Sequence, residues 1–196
     1  MKKSERTRQY IIEKASPVFN TRGYAGTSLT DLIEATGLTK GAIYGNFANK
    51  DEVALAAFDA NFQRVTNYLK AEILTHDHAI DRLLVYPRVY KNFLHIPFLQ
   101  SGCPILNTAT EADDTHPALR EKAANALAYW KRSLENQLLR GIERQEIKNN
   151  IQPTHIAVII MSLIEGAIMQ AKVTGSTTEL NITMAFLEKF ICDLKP

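Results

Sequence analysis

The chain has 196 residues, of which 45% are hydrophobic and 22% are charged, with a net charge of +2. These values are ordinary for a soluble globular protein with a sizeable core, in one domain or two small ones. The charge is uneven, because residues 1–50 carry eight basic and four acidic side chains, whereas the remaining residues carry fifteen basic and seventeen acidic ones. A basic head on a slightly acidic body is typical of a DNA-binding module joined to another domain.

The two cysteines and the hydropathy of the chain indicate in which cellular compartment the protein is expected. Cys103 and Cys192 lie far apart and form no metal-ligand spacing, which favours a reduced, intracellular protein over a disulfide scaffold. The charged N-terminus lacks the apolar segment of a secretory signal. The most apolar stretch, residues 156–171, contains Glu165 and is too short to cross a bilayer comfortably. We therefore expect a cytoplasmic protein that binds no membrane, metal ion or cofactor.

Helical periodicity begins near the N-terminus. The first predicted helix ends at Gly23 and has one apolar face: Ile11, Ala15, Val18 and Phe19. A second helix begins with Thr27 as its N-cap and is broken by Gly37. A short third helix spans residues 40–46, with Thr39 as its N-cap.

The rest of the chain predicts six further helices. A long fourth helix follows Asn49, and two more are expected at residues 79–95, where Pro87 predicts a kink or a break, and at residues 105–113. The last three helices each carry an apolar stripe: Ala123 to Ile142, Ile156 to Ala171, and Leu180 to Ile191. No segment alternates like a strand, so the expected fold class is all-α with about nine helices.

The segment TSLTDLIEATGLTKGAIYGNF, residues 27–47, has the arrangement of a helix-turn-helix. Gly37 permits the sharp turn, because glycine adopts backbone angles that a side chain disfavours. Four apolar residues would hold the two helices together: Leu32, Ile33, Leu38 and Ile43. In this motif the second helix enters the major groove of DNA, and its outward residues here are small or hydrogen-bonding.

Residues 6–58 resemble the DNA-binding domain of the TetR/AcrR family of bacterial repressors. Three blocks carry the resemblance: FNTRGY followed by TSLTDL at residues 19–32, ATGLTKGAIY at residues 35–44, and FANKDE at residues 47–52. The resemblance implies a DNA-binding domain of three helices at residues 1–50. It also implies a larger helical domain at residues 51–196, which binds a ligand and dimerises through the last two helices.

Carried over position by position, the resemblance implies nine DNA-binding residues: Thr27, Ser28, Thr39, Lys40, Gly41, Ala42, Tyr44, Asn46 and Lys50. Thr27 and Ser28 would give backbone amides to a phosphate, and Ala42 would offer its methyl group to a base. Lys40 and Tyr44 have no packing role that the pattern suggests, which favours DNA contact. Gly45 and Asn46 depart from the residues usual in the family, so the sequence predicts no operator.

The predicted body contains candidate effector-binding residues that combine apolar walls with a few polar groups. They are Phe62, Tyr90, Phe93, Phe98, Cys103, Asn107, Trp130, Met161 and Glu165. Ordinary core packing remains the alternative for each of them. Glu165 stands out because a carboxylate among isoleucines is costly to bury without a partner, which an effector, a lysine or an arginine would supply.

The leading hypothesis is a non-enzymatic, homodimeric repressor that binds double-stranded operator DNA and is released by an unknown small-molecule effector. Small residues in the eighth helix, such as Gly166 and Ala171, suit close packing in a two-fold helical interface.

An all-helical enzyme and a redox sensor are the alternatives. Four residues around the fifth helix are conceivable metal ligands, although their spacing is not that of a tetrahedral site: His76, Asp77, His78 and Asp81. Cys103 is a conceivable nucleophile or redox switch, but no basic neighbour in sequence would lower its pKa.

Overall fold

The computed structural model describes residues 3–196, so residues 1 and 2 of the predicted DNA-binding domain lie outside the described part. Within it the chain forms nine α-helices: α1 (Lys3–Arg22), α2 (Leu29–Thr36), α3 (Lys40–Tyr44), α4 (Lys50–Ile73), α5 (Ala79–Lys91), α6 (Pro104–Ala112), α7 (Pro117–Glu143), α8 (Pro153–Thr174) and α9 (Thr178–Cys192). A 3₁₀ turn at Phe93–His95 follows α5. The described residues contain no strand, and the all-α prediction is confirmed.

Three predicted helix ends are wrong. The N-cap of α2 is Ser28 and not Thr27, because Ser28 forms a capping box with Asp31. Helix α3 ends at Tyr44, two residues before its predicted end. Helix α5 runs through Pro87 without a break and ends at Lys91, since the buried packing around this proline outweighs the loss of one backbone hydrogen bond.

The chain divides into two compact units, and the first runs to Val65 and resumes at Cys103–Ala126. Its apolar core joins α1, α2, α3 and the start of α4, and consists of Ile11, Ala15, Phe19, Leu32, Ile43, Phe47, Val53, Ala54 and Ala57. Leu32 and Ile43 are both 0% exposed, and Ile33 and Leu38 pack against the same core. The prediction that these residues hold α2 against α3 is confirmed.

The second unit comprises Thr66–Gly102 and Leu127–Pro196. Here α9 packs against both α8 and α5, and its predicted stripe is completely buried: Leu180, Met184, Leu187 and Ile191. Helix α8 has 22 residues and is long and apolar enough to cross a membrane by length and composition alone, so the prediction that this stretch is too short is wrong; 39% of the apolar stretch is buried within the protein. Helix α4 begins at Lys50 and continues without interruption, so the predicted functional division after residue 50 stays a prediction.

Candidate nucleic-acid interface

The turn between α2 and α3 is built by two local devices. Gly37 ends α2 with φ +67°, a left-handed conformation that favours glycine, and its N–H donates to the Ile33 carbonyl at 2.8 Å. Two residues later, the Thr39 side chain caps α3 by accepting a hydrogen bond from the Ala42 N–H at 3.2 Å. Both devices confirm the helix-turn-helix that the sequence predicts.

One side of α3 is buried and the other is open to solvent. Ile43 is buried in the core, whereas Thr39, Lys40 and Gly41 are exposed and carry little bulk close to the backbone. Tyr44 is half-buried and packs against the core, so the prediction that it has no packing role is wrong. The exposed side of α3 therefore allows close approach by a partner.

The start of α2 differs from its predicted arrangement. Thr27 is fully buried, and its hydroxyl donates to the Gly23 carbonyl at 2.6 Å. The N–H of Thr27 donates to the Tyr24 carbonyl at 3.3 Å, and the N–H of Ser28 donates to Asp31 at 2.7 Å. The two amides that were predicted to meet a phosphate are thus already engaged within the protein, whereas Ser28 itself is exposed.

Asn46 closes the end of α3 with contacts of its own. Its side-chain amide donates to the Ala42 carbonyl at 2.9 Å, and its backbone carbonyl accepts a hydrogen bond of 2.5 Å from Arg8 on α1. Sequence reasoning missed Arg8, because its partner lies 38 positions away and no local pattern links the two.

Lys50 lies at the first position of α4, next to a small polar cluster. Its ammonium group is 4.3 Å from the centre of the Tyr24 ring, a cation–π contact. The Tyr24 hydroxyl donates to the Asp51 carboxylate, and this bond, together with burial, raises the pKa of Tyr24 to about 12. His116, directly before α7, packs edge-on against the same ring, with 4.5 Å between the ring centres.

Three of the predicted effector-binding residues belong to the first unit. Phe62 stacks on Phe58 along α4, with 6.3 Å between the ring centres. Cys103 is 1% exposed and occupies the N-cap position of α6. Asn107 of α6 donates from its amide to the backbone carbonyl of Asn20 at 3.0 Å, which ties α6 to the end of α1.

The other six lie in the second unit: Tyr90, Phe93, Phe98, Trp130, Met161 and Glu165. The rings of Tyr86 and Tyr90 flank Trp130 at 6.4 and 6.1 Å. Met161 and Glu165 line a groove of about 430 Å³ between α7 and α8, together with Lys131. Phe93 is buried, and Phe98 packs against Tyr68 at 5.4 Å. These six residues therefore lie at more than one place in the second unit.

Three of the four residues of the alternative metal site, His76, Asp77 and His78, form structural contacts. His78 caps α5 by accepting a hydrogen bond from the Ile80 N–H at 3.2 Å, and the carbonyls of His76 and Asp77 accept hydrogen bonds from Arg82 and Arg144. Across residues 3–196, no group of three or more His, Cys, Asp or Glu side chains is arranged to hold a metal ion.

Two family models match the chain over most of its length. A model described as bacterial regulatory proteins, tetR family, matches residues 11–57. A second, described as tetracyclin repressor-like, C-terminal domain, matches residues 79–187, which is more than half of the chain. The chain belongs to the TetR family. It is a DNA-binding transcriptional regulator, and the resemblance seen in its N-terminal motifs is confirmed.

Solved structures and curated relatives of TetR-family proteins agree with this assignment. A TetR-family regulator from Cytophaga hutchinsonii is similar with a TM-score of 0.95 and 45% identity, over 100% of this chain and 98% of the other. A TetR regulator from Chloroflexus aurantiacus J-10-FL gives a TM-score of 0.92 and 36% identity, over 98% and 97%. The repressor ComR of Escherichia coli (strain K12) is 26% identical, over 88% of this chain and 83% of ComR. TetR-family regulators bind operator DNA as dimers, and release by a small-molecule effector is typical of them.

Proposed function

We propose that this chain is a cytoplasmic, homodimeric repressor that reads operator DNA with α3 and leaves it when an effector binds the C-terminal domain. Residues 1–50 would bind DNA, and residues 51–196 would bind the effector and the second subunit. The observation that carries the proposal is the exposed surface of Thr39, Lys40 and Gly41 on a helix whose opposite side, at Ile43, is fully buried. We assign no enzymatic activity to the protein.

The proposed DNA surface extends from α3 to the neighbouring helix starts. Thr39, Lys40 and Gly41 would meet phosphates or base edges, and Ala42 would touch a base. Five further residues flank this surface: Thr27, Ser28, Tyr44, Asn46 and Lys50. Because Thr27 is buried and already hydrogen-bonded, its role would be to position the exposed Ser28.

The proposed dimer contact is the apolar outer side of α8 and α9. Six large apolar side chains on these two helices remain exposed in the single chain: Val158, Ile159, Met169, Val173, Ile182 and Phe186. An apolar patch of this kind on a soluble protein is typical of a subunit interface. A two-fold axis through it would present two copies of α3 to successive turns of DNA.

The aromatic cluster around Trp130 supports an effector site in the C-terminal domain. Trp130 is 6% exposed, and its indole N–H finds no hydrogen-bond acceptor within the described residues. A buried donor without an acceptor costs about 1–3 kcal/mol, which an effector with an acceptor group would recover. Tyr86 and Tyr90 flank the indole, so the walls of a site at this position would be aromatic.

The decisive experiment measures DNA binding by the double variant Lys40→Ala with Tyr44→Phe. The operator is first selected by the wild-type protein from a pool of random duplexes. We expect at least about tenfold weaker binding, because each charge-assisted hydrogen bond contributes about 1.5–3 kcal/mol. The slope of the logarithm of the binding constant against the logarithm of the salt concentration should decrease in magnitude by about 0.9 for each phosphate that the variant no longer neutralises.

The matched control is Lys70→Ala with Tyr129→Phe, which removes the same groups from exposed positions outside α3. The control should bind like the wild type. If the α3 double variant also keeps the wild-type affinity and salt dependence, α3 is not the recognition helix.

A further inference from the structure

A single carboxylate on α6 receives two consecutive backbone amides from the turn between α1 and α2. The Tyr24 N–H donates to one carboxylate oxygen of Glu111 at 2.7 Å, and the Ala25 N–H donates to the other oxygen at 2.7 Å. Charge-assisted hydrogen bonds of this kind are stronger than neutral ones, and the paired geometry fixes the direction of both amides. Glu111 therefore holds this turn at two points.

The turn is shaped around the carboxylate. Gly23 has φ +72°, a left-handed conformation that favours glycine, and a Cβ atom at this position would lie 2.7 Å from the carboxyl carbon of Glu111, so a larger residue would displace the carboxylate. One helical turn earlier on α6, the Asn107 amide donates to the Asn20 carbonyl at 3.0 Å and to the Asn20 side-chain oxygen at 3.2 Å. Two residues on one side of α6 thus hold the end of α1 and the turn that follows it.

The same turn leads directly into the proposed DNA surface. The Thr27 N–H donates to the Tyr24 carbonyl, and the Thr27 hydroxyl donates to the Gly23 carbonyl. Ser28, the N-cap of α2, is the next residue. A change in the position of Gly23 or Tyr24 therefore moves the start of α2.

We propose that Glu111 and Asn107 form an α6 latch, a pair of positioning residues that hold the α1–α2 turn in the geometry needed for DNA binding. The α6 latch touches no DNA and acts through the turn. Both latch residues lie on α6, so a shift of this helix changes both contacts together. The chain enters α6 from the second compact unit at Gly102 and Cys103. This inference rests on the proposed function, in which α2 and α3 bind DNA.

The latch and simple electrostatics predict opposite effects on DNA affinity when the charge of Glu111 is removed. Glu111 is a negative charge in the unit that would bind DNA, so removing that charge should strengthen binding to phosphates if charge alone mattered. In Glu111→Gln, one amide of the turn keeps an acceptor and the other faces an N–H group. The latch therefore predicts weaker binding from the same substitution.

The experiment compares Glu111→Gln with Asp113→Asn on the selected operator duplex. Asp113 is exposed and lies directly after α6, and its carboxylate accepts a hydrogen bond from the Asp114 N–H, so its replacement removes the same charge without opening the latch. We expect Glu111→Gln to bind at least about fivefold more weakly, the lower end of couplings between distant sites. Asp113→Asn should bind as tightly as the wild type or more tightly. The salt dependence of Glu111→Gln should stay unchanged, because the variant still neutralises the same phosphates.

Two further readouts separate positioning from general destabilisation. Hydrogen exchange at the amides of Tyr24 and Ala25 should be faster in Glu111→Gln, while the amides of α9 keep their protection. If Glu111→Gln fails to fold, Glu111→Asp keeps the charge but is too short to span both amides, and it should also weaken binding.

If Glu111→Gln binds as tightly as Asp113→Asn, the latch proposal is overturned. That result leaves the proposed function untouched, because the α3 double variant tests DNA binding separately. Weak binding by the α3 variant together with wild-type binding by Glu111→Gln would reject the latch alone. Wild-type binding by the α3 variant would reject the proposed function, and the latch with it.

Discussion

Arg8 on α1 forms an ion pair with Glu52 on α4, with 2.7 Å between Nη2 and Oε1. The same guanidinium donates a hydrogen bond of 2.5 Å to the Asn46 carbonyl and lies 4.0 Å from the centre of the Phe47 ring. One side chain therefore joins α1, the end of α3 and the start of α4. It anchors the segment that directly follows the proposed recognition helix.

The Arg8 contact predicts a specific pH dependence of stability. The pKa of Glu52 is lowered, first by the Ala48 N–H and then by Arg8. A carboxyl group whose pKa is lower in the folded state stabilises the fold above its unfolded pKa, and this stabilisation is lost as the pH falls through the folded pKa. In Arg8→Ala the difference in melting temperature from the wild type should therefore be largest near neutral pH and shrink in acid.

Thermal unfolding measured from about pH 7 to about pH 3 tests this expectation. Arg6→Ala is the matched control, because Arg6 is an exposed arginine on the same helix. A difference for Arg8→Ala that stays constant with pH would contradict the role assigned to Glu52.

The capping box of α2 predicts the effect of a single hydroxyl. Ser28→Ala removes the oxygen that accepts the Asp31 N–H and should lower the free energy of unfolding by about 1 kcal/mol. Thr30→Ala, an exposed position on the same helix, should have little effect or a small stabilising one, because alanine is the better helix former. Urea unfolding of both variants measures the difference, and equal midpoints would show that Ser28 caps nothing in solution.

Tyr24 should be among the last of the seven tyrosines to ionise. Its pKa is raised to about 12, mainly by its hydrogen bond to Asp51. Because the folded pKa lies above the ordinary value, the contribution of Tyr24 to stability is present below about pH 10 and is lost as the pH rises through about 12. When the ionisation of the tyrosines is followed by tyrosinate absorbance, the step near pH 12 that the wild type shows should be missing in Tyr24→Phe. In Asp51→Asn that step should move to lower pH, and an unchanged step would contradict the assignment.

The proposed dimer interface predicts a difference between two equally exposed residues. Ile182 on α9 is 65% exposed, and Leu74, which follows α4, is 64% exposed. Ile182→Glu would place an unpaired charge in the interface at a cost of about 3–5 kcal/mol, which raises the dimer dissociation constant at least about a hundredfold. Leu74→Glu should leave the dimer intact. Sedimentation analysis of both variants measures the effect, and dissociation of neither would argue against α8 and α9 as the interface.

The helix-turn-helix was predictable because the signals that build it are local. Gly37 and Thr39 act on residues three or four positions away, and the apolar spacing of Leu32 and Ile43 follows from the helical period. The N-cap of α2 was misassigned for a related reason. Thr27 and Ser28 are adjacent residues that both cap helices, but Ser28 forms the capping box with Asp31, whereas Thr27 is buried and donates its hydroxyl to the Gly23 carbonyl.

By itself, the sequence determined the helical class, the order of the nine helices in residues 3–196 and the position of the helix-turn-helix, since each depends on periodicity and on residues within a few positions. Tertiary structure alone decided that Arg8 binds the segment after α3 and that Glu111 binds the turn before α2. The partners of Glu111 lie 86 and 87 positions away, and chain folding brings them together through packing that no short pattern encodes. A carboxylate also looks the same in sequence whether it faces water or binds two backbone amides.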